Sequence, residues 1–97
     1  MFEVQQTSVY RTWFASLRDG VARSRIDIRI GRLEIGNFGD AKPVGGGVHE
    51  LRMTFGPGYR VYFTRRGKRL ILLLCGGDKG SQERDIARAK ELVAQLE

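Results

Sequence analysis

Cysteine is almost absent from the chain. Cys75 stands alone among 97 residues, so no intrachain disulfide and no cysteine metal cluster can form. Histidine is equally scarce, His49 being the only one. A Cys75–His49 nucleophile pair is weighed against packing: Cys75 ends an oily run, where burial raises a thiol's pKa and leaves it inert, and core packing is the expectation. Long hydrophobic runs are missing too. The longest, Leu70 to Cys75, has strand length, far short of the roughly 18 to 20 residues that span a bilayer. The N-terminus, MFEVQQTSVYR, lacks the basic-then-apolar layout of a signal peptide, so a cytoplasmic protein is expected.

What the chain has in excess is positive charge. Thirteen arginines and four lysines against eleven acids give +6 and a pI near 10.1. Arginine's planar fork suits bidentate contact with phosphate or carboxylate, which points to nucleic acid, an acidic protein partner, or both. A hydrophobic fraction of 41% argues against disorder, and the length allows one domain, residues 1–97, with one modest core.

Residues 2–5 alternate as a short strand. Thr7 or Ser8 can cap a helix to about Asp19, with Val9 or Tyr10, Trp13, Phe14 and Leu17 on its apolar side. A second helix follows from Val21 to Ile35, stopped by Gly36. NFGDAKPVGGG, residues 37–47, reads as a loop. Three strands come next, over 48–54, 59–65 and 69–75, the last without alternation and hence covered on both faces. Ser81 is placed to cap a final helix whose first turn carries Glu83 and Asp85. The expected class is α+β in the order β-α-α-β-β-β-α, with a small antiparallel sheet on an N-terminal helical hairpin and a C-terminal helix.

Alternation sends Leu51, Met53, Val61 and Phe63 toward the helices. Glu50, Arg52, Thr54, Arg60 and Tyr62 are then left on an open face, which reads either as an RNA-binding surface or as an ordinary solvated one. His49 falls on the Leu51 side, away from Arg52. The junction Gly76-Gly77-Asp78-Lys79-Gly80 fits neither a P-loop nor a dinucleotide fingerprint. It is a strand-to-helix turn, or a turn that also offers amides and a lysine to an anion.

Several consecutive features carry a resemblance. GDAKPVGGGVHELRMTFGPGYRVYF, followed by LLLCGGDKGSQERDIARAKEL, is similar to the addiction-module killer proteins, a phage-related branch of the RelE/ParE/HigB toxin superfamily. Residues 39–95 match closely; the first 38 match in helical layout. The resemblance implies a RelE-like fold and the toxin of a type II toxin–antitoxin pair. Its partners are then an antitoxin, commonly a helix-turn-helix DNA-binding protein, together with the ribosome and mRNA, with no membrane.

RelE and HigB members cut mRNA in the ribosomal A site, whereas ParE members inhibit DNA gyrase on the same scaffold. A gyrase inhibitor and a non-toxic nucleic-acid or partner-binding module therefore stay as alternatives. Carried over residue by residue, Arg60 in G-Y-R matches the cation that grips the scissile phosphate, Arg52 in E-L-R a neighbouring cation, and Lys79 the basic group after the last strand. Tyr59 or Tyr62 is expected to stack on a base, with Asp78 and Arg65 also on the RNA-binding surface. Lys79, Glu50 and then His49 are the candidates for proton transfer, since this chain has no tyrosine or histidine after Tyr62. The reaction implied is attack by the ribose 2′-oxygen with a cyclic phosphate product, requiring no metal and no cofactor.

Overall fold

The computed structural model describes residues 1–96. It is an α+β structure whose five strands form one mixed sheet. They are β1 (Glu3–Gln6), β2 (Ala41–Gly45), β3 (Val48–Arg52), β4 (Arg60–Arg66) and β5 (Leu70–Gly77), arranged in the order β1-β5-β4-β3-β2. The sheet is not purely antiparallel, because β1 runs parallel to β5. That pairing covers one flank of the oily β5, while β4 covers the other.

Helices α1 (Ser8–Ser16) and α2 (Gly20–Glu34) occupy one side of the sheet. Thr7 caps α1, its hydroxyl accepting from the Tyr10 amide and donating to the Leu74 carbonyl. The first helix stops at Ser16, not near Asp19, because Asp19 is the cap of α2 and accepts from the Val21 and Ala22 amides. Tyr10, Ile26, Ile30 and Leu33 meet Leu51, Met53, Val61, Phe63, Ile71 and Leu73 in the larger core, with each full burial contributing about 1.5–3 kcal/mol.

Residues 37–47 are not simply a loop, since β2 lies within them. Its composition hides it: Pro43 is tolerated because β2 is an edge strand, and the pairing with β3 is irregular between Pro43 and Gly45. Gly45, Gly46 and Gly47 then turn the hairpin with φ of 95°, 61° and 79°, which only glycine adopts without strain.

The second face of the sheet is covered, contrary to the open surface expected. Helix α3 (Gln82–Leu96) lies across it, and Ala89 and Val93 pack with Val48, Tyr62, Leu74 and Cys75 in a second core. A register shift in the β4–β5 ladder, where Tyr62 pairs with Cys75 and Phe63 with Leu73, brings both Leu74 and Cys75 to this side. No helix among the described residues is long and apolar enough to cross a membrane.

Candidate functional site

One end of the sheet opens into a cleft of about 430 Å³ whose lining includes Arg52, Arg60, Lys79, Asp40 and Gly58. Backbone register builds it. Arg52 ends β3 and Arg60 begins β4, and the two are direct cross-strand partners. Like charges held opposite one another destabilise a sheet unless carboxylates or a bound anion offset them. Arg52 has Asp40, with Nη2 3.1 Å from Oδ1. Arg60 has Glu50, with Nε 3.9 Å from Oε2.

Between the two strands lies the turn Gly56-Pro57-Gly58. Gly58 has φ +78°, and a Cβ built there would stand 3.3 Å from the Cβ of Lys79 and 3.4 Å from Arg60 Nη1. Glycine at this point lets the 3-10 turn Lys79–Ser81 close against the β3–β4 turn, so that Lys79 and Arg60 line one cavity. Arg60 Nη1 also donates to the Gly58 carbonyl at 2.9 Å, which fixes its direction. From α2, Arg29 donates to the Arg52 carbonyl at 2.9 Å and ties the strand end to the helix.

Three of the five catalytic candidates, Arg52, Arg60 and Lys79, are thus brought together. Glu50 is not at the cleft surface. It is 0% exposed, and its Oε2 accepts from Gln82 Nε2 at 2.7 Å and from the Tyr62 hydroxyl at 3.2 Å. Shut beneath Arg60 by α3, it is a supporting carboxylate and cannot reach an RNA hydroxyl. His49 is on the opposite face of the sheet, stacked on Phe63 with centroids 5.2 Å apart, and burial followed by the charge of Arg65 lowers its pKa. It does not join the cleft.

The RNA-binding candidates separate as well. Tyr62 is 0% exposed, so its ring offers no face to a base; burial, then Glu50, holds its phenol protonated far above the usual range. Tyr59 is half-buried between Trp13 and Phe55, with centroids 6.4 and 5.8 Å away. Asp78 caps the 3-10 turn, accepting from the Gly80 amide at 2.8 Å, while Ser81, the residue immediately before α3, accepts from the Asp78 amide at 3.2 Å and completes that turn's capping box. Arg65 is on the hairpin side, over the rings of Phe2 and Phe38 at 4.9 and 5.4 Å, away from the cleft.

Two polar groups were missed. Asp40 is the only carboxylate among the cleft-lining residues. Its signal was its place just before a strand that composition concealed. Gln82 bonds Glu50 from the first turn of α3, and nothing in its sequence surroundings marked it. No group of three or more His, Cys, Asp or Glu among the described residues is gathered to hold a metal ion.

The Gly76-Gly77 pair serves clearance. Neither residue has positive φ. A Cβ at Gly76 would run into the Trp13 ring on one face, and one at Gly77 into the Asp85 carboxylate on the other. β5 is therefore bare where α1 and α3 come closest to it.

No family model matches the chain. It is similar to an uncharacterized protein of Haemophilus influenzae, 44% identical over 94 residues that cover 97% of this chain and 95% of the relative.

Proposed function

We propose that this chain, which belongs to the same family as that Haemophilus influenzae protein, is the toxin of a type II toxin–antitoxin pair that cuts mRNA at the ribosome. The observation that carries the reading is the cross-strand pair Arg52–Arg60 with Lys79 beside it in one open cleft. Three cations sharing a cleft with a single carboxylate suit a phosphodiester better than a neutral or cationic ligand.

In the proposed reaction the ribose 2′-oxygen attacks the adjacent phosphorus while the bond from phosphorus to the 5′-oxygen breaks. Arg60 and Arg52 hold the two non-bridging oxygens, where charge grows in the phosphorane. Asp40 accepts the 2′-hydroxyl proton, and the Lys79 ammonium gives a proton to the departing 5′-oxygen. The products are a 2′,3′-cyclic phosphate and a free 5′-hydroxyl. Glu50 acts through Arg60 and is a positioning residue. The RelE-like character of the fold, a cytoplasmic location and a helix-turn-helix antitoxin as partner belong to the same reading.

The test is mapping of mRNA 5′ ends after the chain is expressed alone, beside Arg52→Ala, Arg60→Ala and Lys79→Ala. Lys79 is exposed, so its loss leaves the fold intact. New ends in register with codons, confined to translated message and lost in the variants, are expected. Growth arrest with no new ends but with induction of the DNA-damage response would overturn the nuclease reading in favour of gyrase. Normal growth and no ends would leave a binding module.

A further inference from the structure

The outward side of α2 carries a seven-residue repeat whose aliphatic members the fold leaves exposed. Val21 and Ile28 on α2, and Ile35 at its C-cap, are 64%, 56% and 67% exposed, and each follows the last by one heptad. Arg25 and Arg32 repeat at the same interval, and so do Ser24 and Gly31. At about 100° per residue, the three aliphatic and two arginine positions fall within an arc of roughly 80°, bordered by Ser24 and Gly31. The core positions Ala22, Ile26, Ile30 and Leu33 lie on another side, and the acids Asp27 and Glu34 lie outside the arc.

Gly31 sharpens the pattern. Mid-helix glycine costs about 1 kcal/mol relative to alanine. Nothing within the described chain calls for it: a Cβ there meets no atom within 4 Å, and its φ is not positive. Small residues beside an aliphatic row let a second backbone come close. Arg25, Ile28, Arg29, Arg32, Thr54 and Phe55 enclose an adjoining cavity of about 260 Å³, with the Arg25 guanidinium 5.1 Å from the Phe55 ring centre.

We propose that this face of α2 is a docking seam for an acidic amphipathic helix of a partner protein. A heptad row of aliphatics flanked by a heptad row of arginines is the complement of a helix with apolar seam positions and acidic flanks. A second copy of this chain fits poorly, because it brings arginines against arginines. A lipid surface fits poorly too: the row is narrow, carries no aromatic residue, and gains nothing from Ser24 and Gly31. The seam is separate from the chemistry of the cleft and stands whether or not that cleft cuts RNA.

The test uses the full isotope-labelled chain and a synthetic helical peptide of about three heptads, with leucine at the seam positions and glutamate at the flanks. A peptide with lysine at the flanks is the control. Amide shifts confined to residues 20–36 are expected with the glutamate peptide and not with the lysine peptide. Ile28→Asp and Gly31→Leu should each weaken binding at least about tenfold, as loss of an interface anchor does. Gly31→Leu fills open space and should leave the melting temperature equal or higher, so lost binding is not lost folding. Arg25→Glu with Arg32→Glu should reverse the peptide preference. The proposal is overturned by shifts elsewhere, by no shifts at millimolar peptide, by indifference to Gly31→Leu, or by equal affinity for both peptides. It is equally overturned if the seam residues instead drive self-association or binding to phosphatidylserine vesicles.

Discussion

Glu50 and Arg60 form a pair beneath the cleft, Oε2 lying 3.9 Å from Nε, with the carboxylate fully buried and the arginine side chain 11% exposed. The same oxygen accepts from Gln82 and Tyr62, so one buried carboxylate on β3 holds three side chains, two from β4 and one from α3. Removing it leaves those groups without their acceptor. Glu50→Ala is expected to cost about 3 kcal/mol, the scale for breaking a buried pair, whereas exposed Lys79→Ala should stay within about 0.5 kcal/mol. Urea midpoints of the two variants check this. Equal midpoints would mean that Glu50 supports nothing.

The glycines of β5 and α2 should respond in opposite directions to the same substitution. Gly77→Ala drives a methyl group into Asp85 and Gly76→Ala drives one into Trp13, and each is expected to lose about 3 kcal/mol or more through overpacking. Gly31→Ala meets open space and should gain about 1 kcal/mol from helix propensity. Thermal melts of the three variants decide it. A harmless Gly77→Ala would show that α3 is free to shift away from β5.

Much of this was legible in the sequence. Alternation about the Gly56–Gly58 turn put Arg52 and Arg60 on one face of the sheet, and the strand register makes them direct partners there. The hairpin-side core was equally readable, since Leu51, Met53, Val61 and Phe63 repeat with period two against helices of period 3.6. The covering of the second face was not readable. Glu50, Arg52, Thr54 and Arg60 look like a solvated row, and only the fold reveals that the Tyr62 hydroxyl donates to a buried Glu50 beneath α3. Asp40 was hidden because Pro43 and three successive glycines disguise β2 as a loop. Gly76-Gly77 read as freedom to turn, although their use is the space they leave.

His49 should make stability depend on pH in the mildly acidic range. Burial against Phe63, then Arg65, lowers its folded pKa below the ordinary 6.5. The unfolded chain then binds more protons than the folded one between the two values. Stability is expected to fall as pH drops through about 6.5 and to level off below the folded value. His49→Gln should flatten that part of the melting-temperature profile. Parallel profiles for the two proteins from pH 7.5 to 5 would remove His49 as the cause.

At the alkaline end, the buried tyrosines should set the limit. Burial, with Asp27 second, raises the Tyr10 pKa well above 10; burial, with Glu50 second, does the same for Tyr62. Deprotonation is therefore easier in the unfolded chain, and stability should decline as pH rises past about 10. Absorbance of tyrosinate and far-ultraviolet circular dichroism should change together for these two residues, because each ionises only as the core opens. Tyr62→Phe removes one of the two and also the hydroxyl that Glu50 accepts, at a cost near 1 kcal/mol at neutral pH. It should leave RNA cleavage unchanged, because the ring has no exposed face. A Tyr62→Phe variant that folds normally but no longer cuts RNA would show that the phenol reaches substrate after all, and that α3 moves aside when RNA binds.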